Sequence, residues 1–105
     1  MGIRVKDDSV QIGALQPAIY FALRVAEDVY QRHGVDDLVI TSGNDGNHSV
    51  TSLHYAGAAV DLRTHNVPED KRQAIADSIK YRLGLDFDVL FEGDHIHIEL
   101  QPRRR

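Results

Sequence analysis

The chain contains no cysteine. Disulfides and thiolate metal sites are therefore excluded, and any bound metal must be held through nitrogen and oxygen. The redox compartment is left open. Positive charge is also in short supply, with 12 Lys and Arg against 16 Asp and Glu and a formal net charge of −4. A nucleic-acid surface needs a basic face to displace counterions from phosphates, so general nucleic-acid binding is not expected. The terminal Arg103, Arg104 and Arg105 are a local exception, read as a solvated tail. No apolar run approaches the roughly 20 residues that span a bilayer, and the polar start from Met1 to Ser9 does not read as a secretory signal. A soluble protein without membrane insertion or signal peptide is expected. Internal repeats and low-complexity segments are absent as well.

What is present suffices for one modest core. At 105 residues and 42% hydrophobic content, residues 1–105 are read as a single domain. Met1 to Gly13 mixes charges with single apolar residues and is expected to be an irregular arm, with Val10 to Ile12 packed down. Ile19, Ala22, Leu23, Ala26, Val29 and Tyr30 recur at steps of three and four, which predicts an amphipathic helix over Leu15 to His33, with Pro17 in its first turn and Gly34 as its stop. Tyr20, Phe21 and Tyr30 are read as core or boundary packing. Leu38, Val39 and Ile40 make a short strand within Asp37 to Thr41, followed by a turn-rich loop from Ser42 to Thr51 that carries His48. Ala58 to Leu62 is small or apolar apart from Asp61 and predicts a short buried strand.

Asn66, three residues before Glu69, suggests an N-cap and capping box for a second helix. Its buried stripe is Ala74, Ile75, Ile79 and Leu83, and Gly84 ends it. The charged face, with Asp70, Lys71, Arg72, Asp77, Lys80 and Arg82, is read as solvated. Phe87 to Phe91 and His95 to Leu100 read as two strands joined by the turn Glu92-Gly93-Asp94, with Pro102 ending the second. Two helices and four strands predict an α+β fold, a small antiparallel sheet with helices packed on one face.

The residue types that carry chemistry cluster in two stretches, Ser52 to Asp61 and Glu92 to His97. Zinc accepts imidazole nitrogen and carboxylate oxygen, and a catalytic site uses three protein ligands with the fourth position open to water. His54, Asp61 and one of His95 and His97 satisfy that count. Gly57 and Ala59 are small enough to let the backbone turn between the first two. An ionised Asp61 inside an apolar strand requires a partner or a metal. Alternation along His95, Ile96, His97, Ile98 and Glu99 sends both imidazoles to one face and both isoleucines to the other.

His54-x-x-Gly57-x-Ala59-x-Asp61, preceded by Ser52 and followed by Leu62-Arg63, resembles the first zinc motif of a family of peptidoglycan-cleaving metallopeptidases. That family includes zinc D-Ala-D-Ala carboxypeptidases and phage L-Ala-D-Glu endolysins. His95-x-His97 resembles its second motif, and the layout is similar to the hedgehog signalling domain, from about Gly46 through His48-Ser49 and Phe87-Asp88 to His97. The resemblance covers roughly half the chain and implies a hedgehog/DD-peptidase-like fold, a Zn2+ cofactor and the ligand set His54, Asp61 and His97.

The family's catalytic carboxylate three residues before the last histidine would be Asp94. The hedgehog-like alignment instead selects Glu92, with His48 and His95 beside the water; Gly93 permits the kink that brings Glu92 round, which favours it. Ser52 and Tyr55 are assigned to the substrate-binding surface. Many carboxypeptidase members carry Ser-Gly-Tyr-Arg upstream, whereas Thr41-Ser42-Gly43 here runs into Asn44-Asp45-Gly46. Without that arginine the expectation moves to endopeptidase action, with Arg63 as the substitute cation. The implied partner is the peptidoglycan stem peptide and the implied enzyme a monomer, phage-encoded and acting on the wall after release or within a virion. Two other readings are a non-catalytic zinc-binding module of the hedgehog kind and a phage structural or tail component carrying the same domain.

Overall fold

The chain runs β1 (Gly2–Val5), α1 (Pro17–Arg32), β2 (Asp37–Ser42), β3 (Ala59–Arg63), α2 (Glu69–Leu83), β4 (Phe87–Phe91) and β5 (His95–Leu100). The computed structural model describes residues 2–43 and 57–101. Pro102 and the Arg103–Arg105 tail lie outside the described residues. The five strands form one sheet in the order β1-β2-β3-β5-β4. Pairing is antiparallel throughout except between β1 and β2, which run parallel. The protein is therefore α+β, with a mixed rather than purely antiparallel sheet.

The parallel strand is a correction at the N-terminus, where an irregular arm was expected over Met1 to Gly13. Ile3 and Val5 alternate with Gly2 and Arg4, lie opposite Leu38 and Ile40, and pack against the core. A strand of four residues with one charge has too little alternation to announce itself; the free edge of β2 supplies its hydrogen bonds. Beyond it, Val10 is buried and Ile12 half-buried, as their apolar character suggested.

Helix α1 buries Ile19, Ala22, Leu23, Val25, Ala26, Val29 and Tyr30. Pro17 stands in its first turn, where the missing N–H leaves no bond unmade. Of the three aromatics read as packing, Tyr30 is fully buried and its hydroxyl donates to the Arg63 carbonyl at 3.0 Å. Phe21 instead is 59% exposed, because it falls on the solvent side of the helical stripe. Helix α2 buries Ile75, Ala76, Ile79 and Leu83. Ala74, expected inside, is exposed, and Ala76 takes the inward position. The capping box also does not form: Pro68 is the N-cap without a side-chain cap, and the Asn66 amide donates to the Asp37 carbonyl at 2.8 Å, tying the α2 entry to β2. On the face read as solvated, Lys71 donates to the His33 carbonyl, Arg72 to that of Val67, and Arg82 pairs with Asp28 at 2.6 Å.

Both helices pack on one face of the sheet. Leu38 and Ile40 of β2, Val60 and Leu62 of β3, Val89 of β4 and Ile96 and Ile98 of β5 join the helical stripes in one apolar cluster. Strand geometry then sends the intervening residues to the opposite face. There stand Val39 of β2, Ala59, Asp61 and Arg63 of β3, Leu90 of β4, and His95, His97 and Glu99 of β5.

Candidate functional site

Cross-strand register assembles the chemistry on this second face. Asp61 lies opposite His97, Arg63 opposite His95 and Ala59 opposite Glu99 across the β3–β5 pair. On its other side His97 faces Leu90 of β4. A bulge in β2 between Ile40 and Ser42 brings Ser42 opposite Asp61, a device that re-aims a strand at a local site.

Asp61 is half-buried in a strand of otherwise buried neighbours, and its carboxylate has the partner that such a position requires. His97 Nδ1 donates to Asp61 Oδ1 at 2.7 Å, and His97 Nε2 donates to Glu99 Oε1 at 2.8 Å. His95 Nε2 approaches the same Asp61 oxygen at 3.9 Å and Glu92 Oε1 at 3.2 Å, while its Nδ1 bonds Asp94 Oδ1 at 2.7 Å. Two imidazoles thus interleave four carboxylates. The side chains of Asp61, His97 and Glu99 are only 15–18% exposed, whereas Asp94 is 70% exposed.

The electrostatics follow from these bonds. His97 is raised from its ordinary value of 6.5 to about 9. The Asp61 hydrogen bond is the main cause; burial opposes it and the Glu99 bond adds to it. At neutral pH the metal-free ring is an imidazolium donating from both nitrogens. The hydrogen bond from His95 holds the Asp94 carboxyl below the usual carboxylate range.

The β4–β5 turn that carries Glu92 and Asp94 is fastened rather than loose. Gly93 takes φ +82°, a conformation that side chains disfavour. The Glu92 N–H donates to the His95 carbonyl at 2.9 Å and the Asp94 N–H to that of Glu92. Thr64, the one fully polar side chain buried among the described residues, donates from its hydroxyl to the Gly93 carbonyl at 2.9 Å, and its N–H to the Asp94 carbonyl. Gly57, with φ +74°, presses against Ala14, and its carbonyl accepts the Gln16 N–H at 2.9 Å. The segment leading into β3 is thereby pinned to the start of α1.

Of the residues singled out from the sequence, the structure brings together Asp61, His95, His97, Glu92 and Asp94, with Arg63 on the same face. His48, Ser52, His54 and Tyr55 lie outside the described residues. The sequence reading passed over Glu99, Gln101 and Thr64. Glu99 and Gln101 had a signal, since they follow His97 at steps of two along β5 and just past its end; Thr64 had none, because its role depends on a turn distant in sequence.

The donor set suits zinc. Asp61 and His97 set an oxygen and an imidazole nitrogen side by side, hydrogen-bonded at 2.7 Å, and the other nitrogen of that imidazole is engaged by a carboxylate, the usual arrangement behind a metal-bound histidine. Among the described residues no three such side chains surround a common point; His54, expected from the sequence as the third ligand, lies outside the described residues. Among the described residues, no helix is long and apolar enough to cross a membrane. No protein-family model and no curated protein matches the chain.

Proposed function

We propose that the protein is a zinc-dependent peptidase of bacterial cell-wall peptidoglycan, of hedgehog/DD-peptidase-like fold, acting as an endopeptidase on the stem peptide. The observation that carries this reading is the hydrogen-bonded row Asp61–His97–Glu99 on the open face of the sheet. With Nε2 committed to Glu99, Nδ1 is the nitrogen that would exchange its proton on the half-buried Asp61 carboxylate for a cation, the second carboxylate backing the ring as in metal-bound histidines. His54, Asp61 and His97 would hold the ion. When bound, zinc supplies a Lewis acid that polarises the scissile carbonyl and makes water acidic enough to attack at neutral pH.

The chain's own groups then divide the proton traffic. Hydrolysis adds water across the C–N bond: a carboxylate takes a proton from the attacking water and returns it to the leaving amine nitrogen. Glu92 suits that task better than Asp94. The His95 hydrogen bond lowers the basicity of the exposed Asp94, while Glu92 sits on the His95 nitrogen that leans towards Asp61. In this reading Asp94 fixes the His95 ring, and His95 Nε2 orients the water or steadies the oxyanion. Arg63, across from His95, is the cation on this face suited to an acidic group of the stem peptide. The enzyme is read as a monomer of phage type, free or virion-borne.

Purified protein with zinc and isolated cell walls provides the test, read as new amino groups released. Glu92→Gln is expected to lower the rate by about 10²–10⁴-fold and Asp94→Asn by far less, the range expected for loss of a positioned base. Unchanged hydrolysis in both variants would remove the proposed mechanism. Zinc uptake without any amino-group release would instead favour a zinc-binding interaction module.

A further inference from the structure

We infer that Glu99 is the positioning residue of His97, holding the ring so that Nδ1 faces Asp61, with Gln101 holding Glu99 in turn. The inference rests on the proposed ligand role of His97 and extends it to residues that the sequence motifs do not contain. Neutral imidazole can carry its proton on either nitrogen and can flip about its ring bond, so a histidine with only one fixed partner presents the wrong atom part of the time. Here the outer nitrogen is committed: Nε2 donates to Glu99 Oε1 at 2.8 Å, in a place where both side chains are less than one-fifth exposed. The second Glu99 oxygen accepts from the Gln101 amide. His97, Glu99 and Gln101 therefore form a row along one face of β5 and just past its end, each side chain oriented by the next. The fully buried Ala59 stands opposite Glu99 and Asp88 flanks it from β4.

The row has a direction. Its outer end is the Glu99 carboxylate and its inner end is Nδ1, which donates to Asp61 at 2.7 Å in the metal-free ring and would exchange that proton for a cation. A carboxylate on the outer nitrogen also makes the inner nitrogen a stronger donor to a cation.

Two measurements on the full chain decide it. Zinc alone, titrated against a chromophoric chelator, gives affinity; ¹⁵N-resolved NMR of the histidine rings in the metal-free protein shows whether the His97 Nε2 proton is protected from exchange. Glu99→Ala is expected to weaken zinc binding by about 10–100-fold, as loss of such outer partners does, and to expose the Nε2 proton. Glu99→Gln, which keeps an acceptor oxygen of the same reach, is expected to recover most of both. Zinc affinity of Glu99→Ala within about two-fold of wild type, or an Nε2 proton equally protected in it, would overturn the inference. A wild-type chain that takes up no zinc would overturn the proposed function, while the ring-proton readout would still decide whether Glu99 sets the orientation of His97.

Discussion

Raising the pH on the metal-free protein should unlock the Asp61–His97–Glu99 row. The folded state holds His97 at about 9 against 6.5 for the ordinary ring. A group whose folded value is raised adds stability in its protonated form. That contribution is complete below 6.5, declines through the interval from 6.5 to about 9, and is gone above it. At 1.36 kcal/mol per pH unit the full interval corresponds to about 3 kcal/mol, and screening by water at the partly open rim reduces this to roughly 1–2 kcal/mol. With a urea slope of about 1–3 kcal/mol per molar for a small domain, the unfolding midpoint should fall by roughly 0.5–1.5 M between pH 6 and pH 9.5 in the presence of a chelator. Other groups with displaced values stand apart from this window. Asp7, Asp28 and Asp94 are lowered and act only in acid. Tyr30 is pushed upward by burial, so its ionisation destabilises the fold only above the ordinary phenol value of 10. Asp61→Asn removes the main cause of the His97 shift and should flatten most of the slope. A wild-type midpoint that stays level across the interval, or an Asp61→Asn protein with the same slope as wild type, would refute the reasoning.

Other substitutions test how the framework positions these groups. Thr64→Val keeps the shape but deletes the hydroxyl that holds the Gly93 carbonyl; denaturant titration should show a loss of about 1–2 kcal/mol, and NMR should show broadened amides from Glu92 to Asp94. Gly57→Ala places a methyl against the Ala14 carbonyl at φ +74°, and should cost about 1–3 kcal/mol, whereas Gly13→Ala meets open space and should stay within about 0.5 kcal/mol of wild type.

Much of the scaffold was legible because its signals are local. The α1 stripe from Ile19 to Tyr30 and the β4–β5 hairpin around Gly93 are written in periodicity and turn chemistry, and alternation along β5 placed His95 and His97 on one face. Strand β1 was not legible, since four residues acquire strand character only from the β2 edge. The α2 start was misread because Asn66 has a competing acceptor in the Asp37 carbonyl, supplied by a distant strand. Ala74 and Ala76 could not be told apart by an apolar stripe one residue wide. At the site, the need of Asp61 for a partner could be read from the sequence, but the identity of that partner depended on the β3–β5 register. Glu99 and Thr64 entered only once the strands were paired.

Metal content after exhaustive dialysis tests the central claim most directly, by elemental analysis of the wild-type chain beside Asp61→Ala and His97→Ala. One zinc per wild-type chain, lost in both variants, is the result expected. Zinc-free wild type, or variants that keep their zinc, would contradict the metal centre on which the hydrolase reading stands.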